Sequence, residues 1–159
     1  MLKIKIISIG KYKEEYLRQA SAEYLKRLSA YCDLEEIVLE PEYLPEKPSD
    51  AQIKKALATE GEKILKKIPN GAFTIAMCIE GKGLDSVDFA RLLNQQALAC
   101  GKLCIIIGGS YGLSDEVKRS ANFRLSMSDM TFPHQLAKIM LLEQLYRAFK
   151  INEGGAYHK

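Results

Sequence analysis

Leu103-Cys104-Ile105-Ile106-Ile107-Gly108-Gly109-Ser110-Tyr111-Gly112-Leu113 is the stretch on which the fold turns. Five apolar residues read as a buried strand, and the strand runs straight into glycines and a hydroxyl. A second stretch follows the same pattern. Phe123–Met127 reads as a short strand, and Ser128-Asp129-Met130-Thr131-Phe132-Pro133-His134 follows it as a polar loop. In open parallel sheets, ligands bind beyond the carboxyl ends of the strands. Glycine lets backbone N–H and C=O groups approach a ligand that a Cβ would exclude. The two loops therefore read as two walls of one pocket.

Outward from these loops, strands and helices alternate. Leu2–Ile9 alternates apolar and charged residues at its start and predicts a strand ended by Gly10. Glu14–Tyr31 predicts a helix with Leu17, Ala20, Tyr24 and Leu28 on its apolar side. Leu34–Leu39 predicts a second strand, and residues 40–48, with three prolines, a loop. Ser49 and Gln52 form a capping box for a helix whose stripe is Ile53, Leu57, Ile64 and Ile68, stopped by Pro69-Asn70-Gly71. Phe73–Ile79 reads as a strand buried on both faces, with a turn at Gly81-Lys82-Gly83. A helix is expected over Ser86–Ala99, and Ser114 caps a short one. Pro133 opens the last helix, Gln135–Phe149, with Leu136, Ile139, Met140, Leu142 and Leu145 inward. This alternation predicts an α/β fold: a mostly parallel open sheet with flanking helices, in a single domain spanning 1–159.

Composition narrows the function. The chain has 159 residues, 47% hydrophobic and 27% charged, as expected of an ordinary globular domain. No apolar run reaches the ~18 residues of a membrane span, and the N-terminus reads as a strand rather than a signal peptide, so a cytoplasmic protein is expected. Cysteines at 32, 78, 100 and 104 form no Cys-x-x-Cys pair, and the only histidines are His134 and His158, which argues against a zinc site. Cys78 and Cys104 lie in apolar runs as small hydrophobes. A net charge of +3 permits a nucleic-acid partner without requiring one.

Three familiar loop chemistries can be compared. The glycines at 108, 109 and 112 miss the dinucleotide spacing, and no Gly-Lys-Ser/Thr follows for a Walker loop. Gly108-x-Ser110-x-Gly112 does match the nucleophile elbow of serine hydrolases, with Asp129 and then His134 or His158 in the required order. The plain alternative for Ser110 is a turn hydroxyl.

Ile107–Gly112, Leu125–Ser128, Met130-Thr131-Phe132-Pro133-His134-Gln135, Glu143–Ala148 and the terminal Tyr157-His158-Lys159 together carry a resemblance. The chain resembles the RlmH family, SPOUT-class methyltransferases of large-subunit ribosomal RNA, over its whole length. The resemblance implies a SPOUT fold with a C-terminal trefoil knot and a homodimer dependent on S-adenosylmethionine. It also implies methylation of nitrogen 3 of a pseudouridine in 23S rRNA on the assembled ribosome. Mapped by motif, the cofactor-binding positions are Met77, Gly108, Gly109, Met127, Ser128, Asp129, Met130, Thr131 and Phe132. The substrate-binding positions are Arg147, Tyr157, His158 and Lys159. Family members often carry an acid where Cys78 stands, and proline where Ala156 stands.

The acceptor imide is largely protonated at neutral pH, so a base, or a cation that stabilises the deprotonated ring, is expected to help. His134, Arg147 and His158 are the catalytic candidates. Plain alternatives exist: Met127 and Phe132 as core, Ser128 and Thr131 as turn caps, Arg147 as a helix-dipole charge, the tail as a frayed end. A ribosome-binding factor without enzymatic activity is a further reading of the same resemblance.

Overall fold

The computed structural model describes residues 1–159. Its elements run β1 (Leu2–Ile9), α1 (Glu15–Leu28), β2 (Cys32–Leu39), α2 (Asp50–Leu65), β3 (Phe73–Gly83), α3 (Ser86–Ala99), β4 (Lys102–Ile107), α4 (Asp115–Ser120), β5 (Phe123–Ser126) and α5 (His134–Asn152). Five parallel strands form one sheet in the order β2-β1-β4-β3-β5.

Period-2 alternation divides the core. Leu2, Ile4 and Ile6 of β1, with Leu103, Ile105 and Ile107 of β4, face α1, α3 and α5. Ile7, Ile9, Cys104 and Ile106 face α2 and α4, meeting Ile64, Leu113 and Val117. Each step toward β2 along the sheet uses the first helical layer, and each step toward β5 uses the second. All four crossovers therefore share one hand, as parallel sheets require.

Several local expectations are corrected. α1 ends at Leu28, and β2 begins at Cys32 rather than Leu34. The inner face of α2 is Ala56, Glu60, Gly61 and Ile64, while Ile53 and Leu57 are only half-buried. Gly61 explains the rotation: a Cβ there would lie 2.5 Å from Ser114 Oγ, so this face alone lets α4 come close. Gly81-Lys82-Gly83 is not a turn. β3 continues through it, and Met77 and Lys82 both pair with Leu125 across a bulge. Residues 78–81 are thrown outward, so Ile79 is exposed and the strand is buried only at Thr74, Ile75 and Ala76. In α5, Leu136 is exposed and Met140 half-buried, whereas Lys138 is buried. No helix is long and apolar enough to cross a membrane.

Candidate functional site

Residues 127–133 connect the sheet edge at β5 to the start of α5. That start is anchored at β1, on the far side of β3 and β4. Gln135 Oε1 accepts from Lys13 N–H at 2.9 Å, and buried Lys138 Nζ donates to Ser8 Oγ at 3.0 Å. Lys138 also pairs with Glu36 at 2.9 Å and lies 4.9 Å from the Tyr12 ring centroid. Burial pushes the Tyr12 hydroxyl up to about 12. From β5 to β1 is three strand spacings, roughly 14 Å. Seven residues reach that far with length to spare. Between these anchors lie β3 and β4; Met77 is the last residue of β3 before its bulge, and Gly108 follows the end of β4.

The β4 loop is shaped by close backbone approach. A Cβ on Gly108 would sit 2.3 Å from Gly112 O. Gly112, at φ +83°, donates its N–H to Gly109 O at 3.0 Å and closes a turn that exposes Ser110 and Tyr111. Gly108 is buried, yet its N–H finds no acceptor in the chain. A buried donor of this kind calls for water or a ligand. In the 127–133 segment, Ser126 Oγ donates to Ser128 O at 3.1 Å, and Met130 N–H donates to Ser128 Oγ at 3.0 Å. Ser128 does cap a turn, as its plain reading held. The N–H groups of Asp129, Thr131 and Phe132 meet no protein acceptor. Met127 packs against the core and Phe132 is half-buried, while Asp129, Met130 and Thr131 are exposed. Glycine backbone, unpaired donors and apolar side chains suit the acceptor nitrogens and flat faces of an adenine ring, and the exposed Asp129 carboxylate in the same segment suits a cationic sulfonium.

Beside Met127 opens a trough of about 530 Å³ between α3 and α5, floored by Phe89 and Met140 and edged by Asp85, Glu143 and Gln144. Of the cofactor positions only Met127 lines it. Ser86 Oγ donates to Gln144 Oε1 at 2.6 Å across the trough.

The tail is not frayed. Tyr157 OH donates to Glu143 Oε1 at 3.2 Å, its ring meets Tyr146 edge-on at 5.0 Å, and the Arg147 guanidinium lies 4.9 Å from its centroid. Glu143 also accepts from Arg147 Nη2 at 2.6 Å and Nε at 3.0 Å. This bonding raises the Arg147 pKa, and burial followed by the Glu143 charge raises that of Tyr157. Arg147 Nη1 lies 3.2 Å from His158 Nδ1. A guanidinium only donates, so in this contact Nδ1 accepts. Lys159 is exposed. Arg147 is thus paired four residues back along α5 rather than serving the helix dipole. Glu143 and Tyr146, on which the tail rests, stood in the Glu143–Ala148 motif without an assigned role; the Glu143/Arg147 spacing was the available signal.

His134, the first residue of α5, is half-buried, and burial and then Lys13 lower its pKa. Thirteen residues of helix, roughly 20 Å, separate it from Arg147. Arg147 and Tyr157 instead meet at Glu143, which lines the same trough as Met127. The hydrolase geometry fails as well: Ser110 sits on an exposed turn and makes no hydrogen bond to His134, His158 or Asp129. Cys104 is buried and Cys78 half-buried.

A relative from Carboxydothermus hydrogenoformans, named Ribosomal RNA large subunit methyltransferase H, is 49% identical, covering 99% of this chain and 100% of its own. Relatives of the same name from Clostridioides difficile and Bacillus thuringiensis are 48% and 51% identical over the same shares. The family described as "Predicted SPOUT methyltransferase" matches residues 2–158. This chain belongs to the SPOUT methyltransferase family.

Proposed function

We propose that this chain methylates nitrogen 3 of a pseudouridine in 23S rRNA on the assembled ribosome, as a cytoplasmic homodimer using S-adenosylmethionine. The observation that carries this reading is the glycine loop after β4, where the buried Gly108 N–H has no acceptor in the chain. The full-length similarity to proteins named as methyltransferases of large-subunit ribosomal RNA supplies the substrate class. The trefoil knot implied by the family belongs to the same reading, because residues 127–133 lie in the loops that would form it.

Bound S-adenosylmethionine supplies an activated methyl group. Backbone groups of Gly108, Gly109 and residues 128–132 hold it, with Met77, Met127 and Phe132 as apolar walls. Asp129 offers a carboxylate to the sulfonium. His134 stands at the same edge and, with its lowered pKa, is neutral near pH 7 and able to accept the imide proton. In the proposed homodimer each pocket borrows the partner's surface, with Arg147, Tyr157, His158 and Lys159 near the acceptor base. There Tyr157 stacks on a base, and Arg147 and Lys159 meet phosphate or the ring anion.

The test is methyl incorporation from labelled S-adenosylmethionine into ribosomes lacking the modification. The expected result is one methyl per ribosome, on a pseudouridine, with Ser110→Ala equally active. Ribosome binding without incorporation would replace the reading with a binding factor. An electrophilic serine probe labelling Ser110 stoichiometrically would restore the hydrolase.

A further inference from the structure

Outside the site described above, the outer margin of the sheet carries a second built feature. An open cleft of about 510 Å³ lies where α4 meets the bulge of β3 and the edge strand β5. Its lining includes Lys82, Lys118, Arg119 and Arg124, with Glu80 as the only acid. Four cations against one carboxylate leave an excess of three, which equals the net charge of the whole chain. Glu80 is committed to Lys118 at 2.5 Å. That hydrogen bond, followed by one from its own backbone N–H, holds its carboxyl below the usual range. Lys82, Arg119 and Arg124 are exposed and enter no ion pair.

We infer that this cleft grips the phosphate backbone of ribosomal RNA beside the nucleotide to be methylated. The inference rests on the function proposed above and adds the RNA-contacting surface to it. Like charges gathered on one face repel each other, and an anionic partner offsets that cost. Two of the three unpaired cations are arginines, whose planar fork suits phosphate oxygens. The bulge at 78–81 brings Lys82 back onto β5. Gly81 permits this because a Cβ there would come within 2.8 Å of the Arg124 and Leu125 backbone. Arg124 is three residues upstream of Met127, roughly 10 Å along an extended chain. An RNA strand held in the cleft therefore passes the edge at which methyl transfer is placed.

The experiment compares the wild type with the triple variant Lys82→Gln/Arg119→Gln/Arg124→Gln, which keeps the Lys118–Glu80 pair. The readouts are KM for unmodified ribosomes, ribosome co-sedimentation across salt concentrations, and calorimetric titration with S-adenosylmethionine. Expected are unchanged cofactor affinity, a KM raised about tenfold or more, and a salt slope reduced by about 2. Should the triple variant be unstable, Arg119→Glu alone is expected to shift KM in the same direction. Unchanged KM and salt slope would overturn the assignment. So would a triple variant that becomes monomeric while the wild type is dimeric, which would mark the cleft as a subunit interface. A wild type that co-sediments with ribosomes through the cleft but transfers no methyl would refute the proposed activity and leave the cleft standing.

Discussion

Gly108 and Gly109 are adjacent but constrained by different things. At Gly108 a Cβ would collide with the backbone of Gly112 at 2.3 Å, so Gly108→Ala damages the fold itself. A loss of about 1–3 kcal/mol in urea denaturation is expected, the usual cost of overpacking. At Gly109 the nearest atom to an added Cβ is Ile9 Cγ2 at 3.4 Å, which is ordinary contact. Gly109→Ala should keep its stability and lose cofactor affinity about tenfold or more by calorimetry, because the methyl occupies space left for a ligand. Full affinity in a folded Gly109→Ala protein would remove this loop from the pocket. His134 gives a pH-dependent test. Burial and Lys13 lower its folded pKa below the ordinary imidazole value of 6.5. The unfolded chain therefore binds the proton more readily. The stability contribution is complete above the ordinary value and is lost as the pH falls through the lower, folded one. His134→Gln is expected to flatten that part of the stability–pH curve, measured between about pH 5 and about pH 8. Parallel curves for the two proteins would exclude the effect.

At the scale of elements, the capping box at Ser49 and Gln52 was legible from sequence because it is local: the two residues satisfy each other within one turn. The inner face of α2 was not. Ile53 and Leu57 satisfy a helical period, but the side that meets α4 is chosen by Gly61, and no local pattern announces that approach. Gly61→Ala tests it. Helix propensity alone favours alanine by about 1 kcal/mol. Here the new methyl would lie 2.5 Å from Ser114 Oγ, which caps α4 by accepting from Val117 N–H. Losing that cap costs about 0.5–2 kcal/mol and crowding Val117 adds more. A net destabilisation of about 1 kcal/mol or more is expected in denaturant unfolding. A stabilised variant would mean that α4 moves aside freely.

At the scale of the molecule, the tail joins the candidate site through α5. Tyr157 and His158 dock on Glu143, Tyr146 and Arg147, and Glu143 lines the same trough as Met127. Deleting residues 157–159 should spare cofactor binding and reduce ribosome methylation by about a hundredfold, since positioning of the acceptor is lost. A truncated protein with the full rate would show the tail to be passive. Sedimentation at micromolar concentration should give a dimer, and a monomer would remove the shared site.

The sequence by itself determined the α/β class, nearly every element, the glycine loops at the ends of strands, and the family, through Thr131–Gln135 and the terminal Tyr157-His158-Lys159. These are readings of local period, turn chemistry and motif, each contained within a few residues. Only the tertiary structure decided the strand order and the outward bulge of β3. It alone placed Lys138 in the core against Glu36 and Ser8, and it alone gathered the cleft from Lys82, Lys118, Arg119 and Arg124. Each of these depends on groups far apart in the chain meeting across a sheet. Alternation along one strand says which residues are buried, but not which strand lies beside it or which distant charge comes to neutralise a lysine.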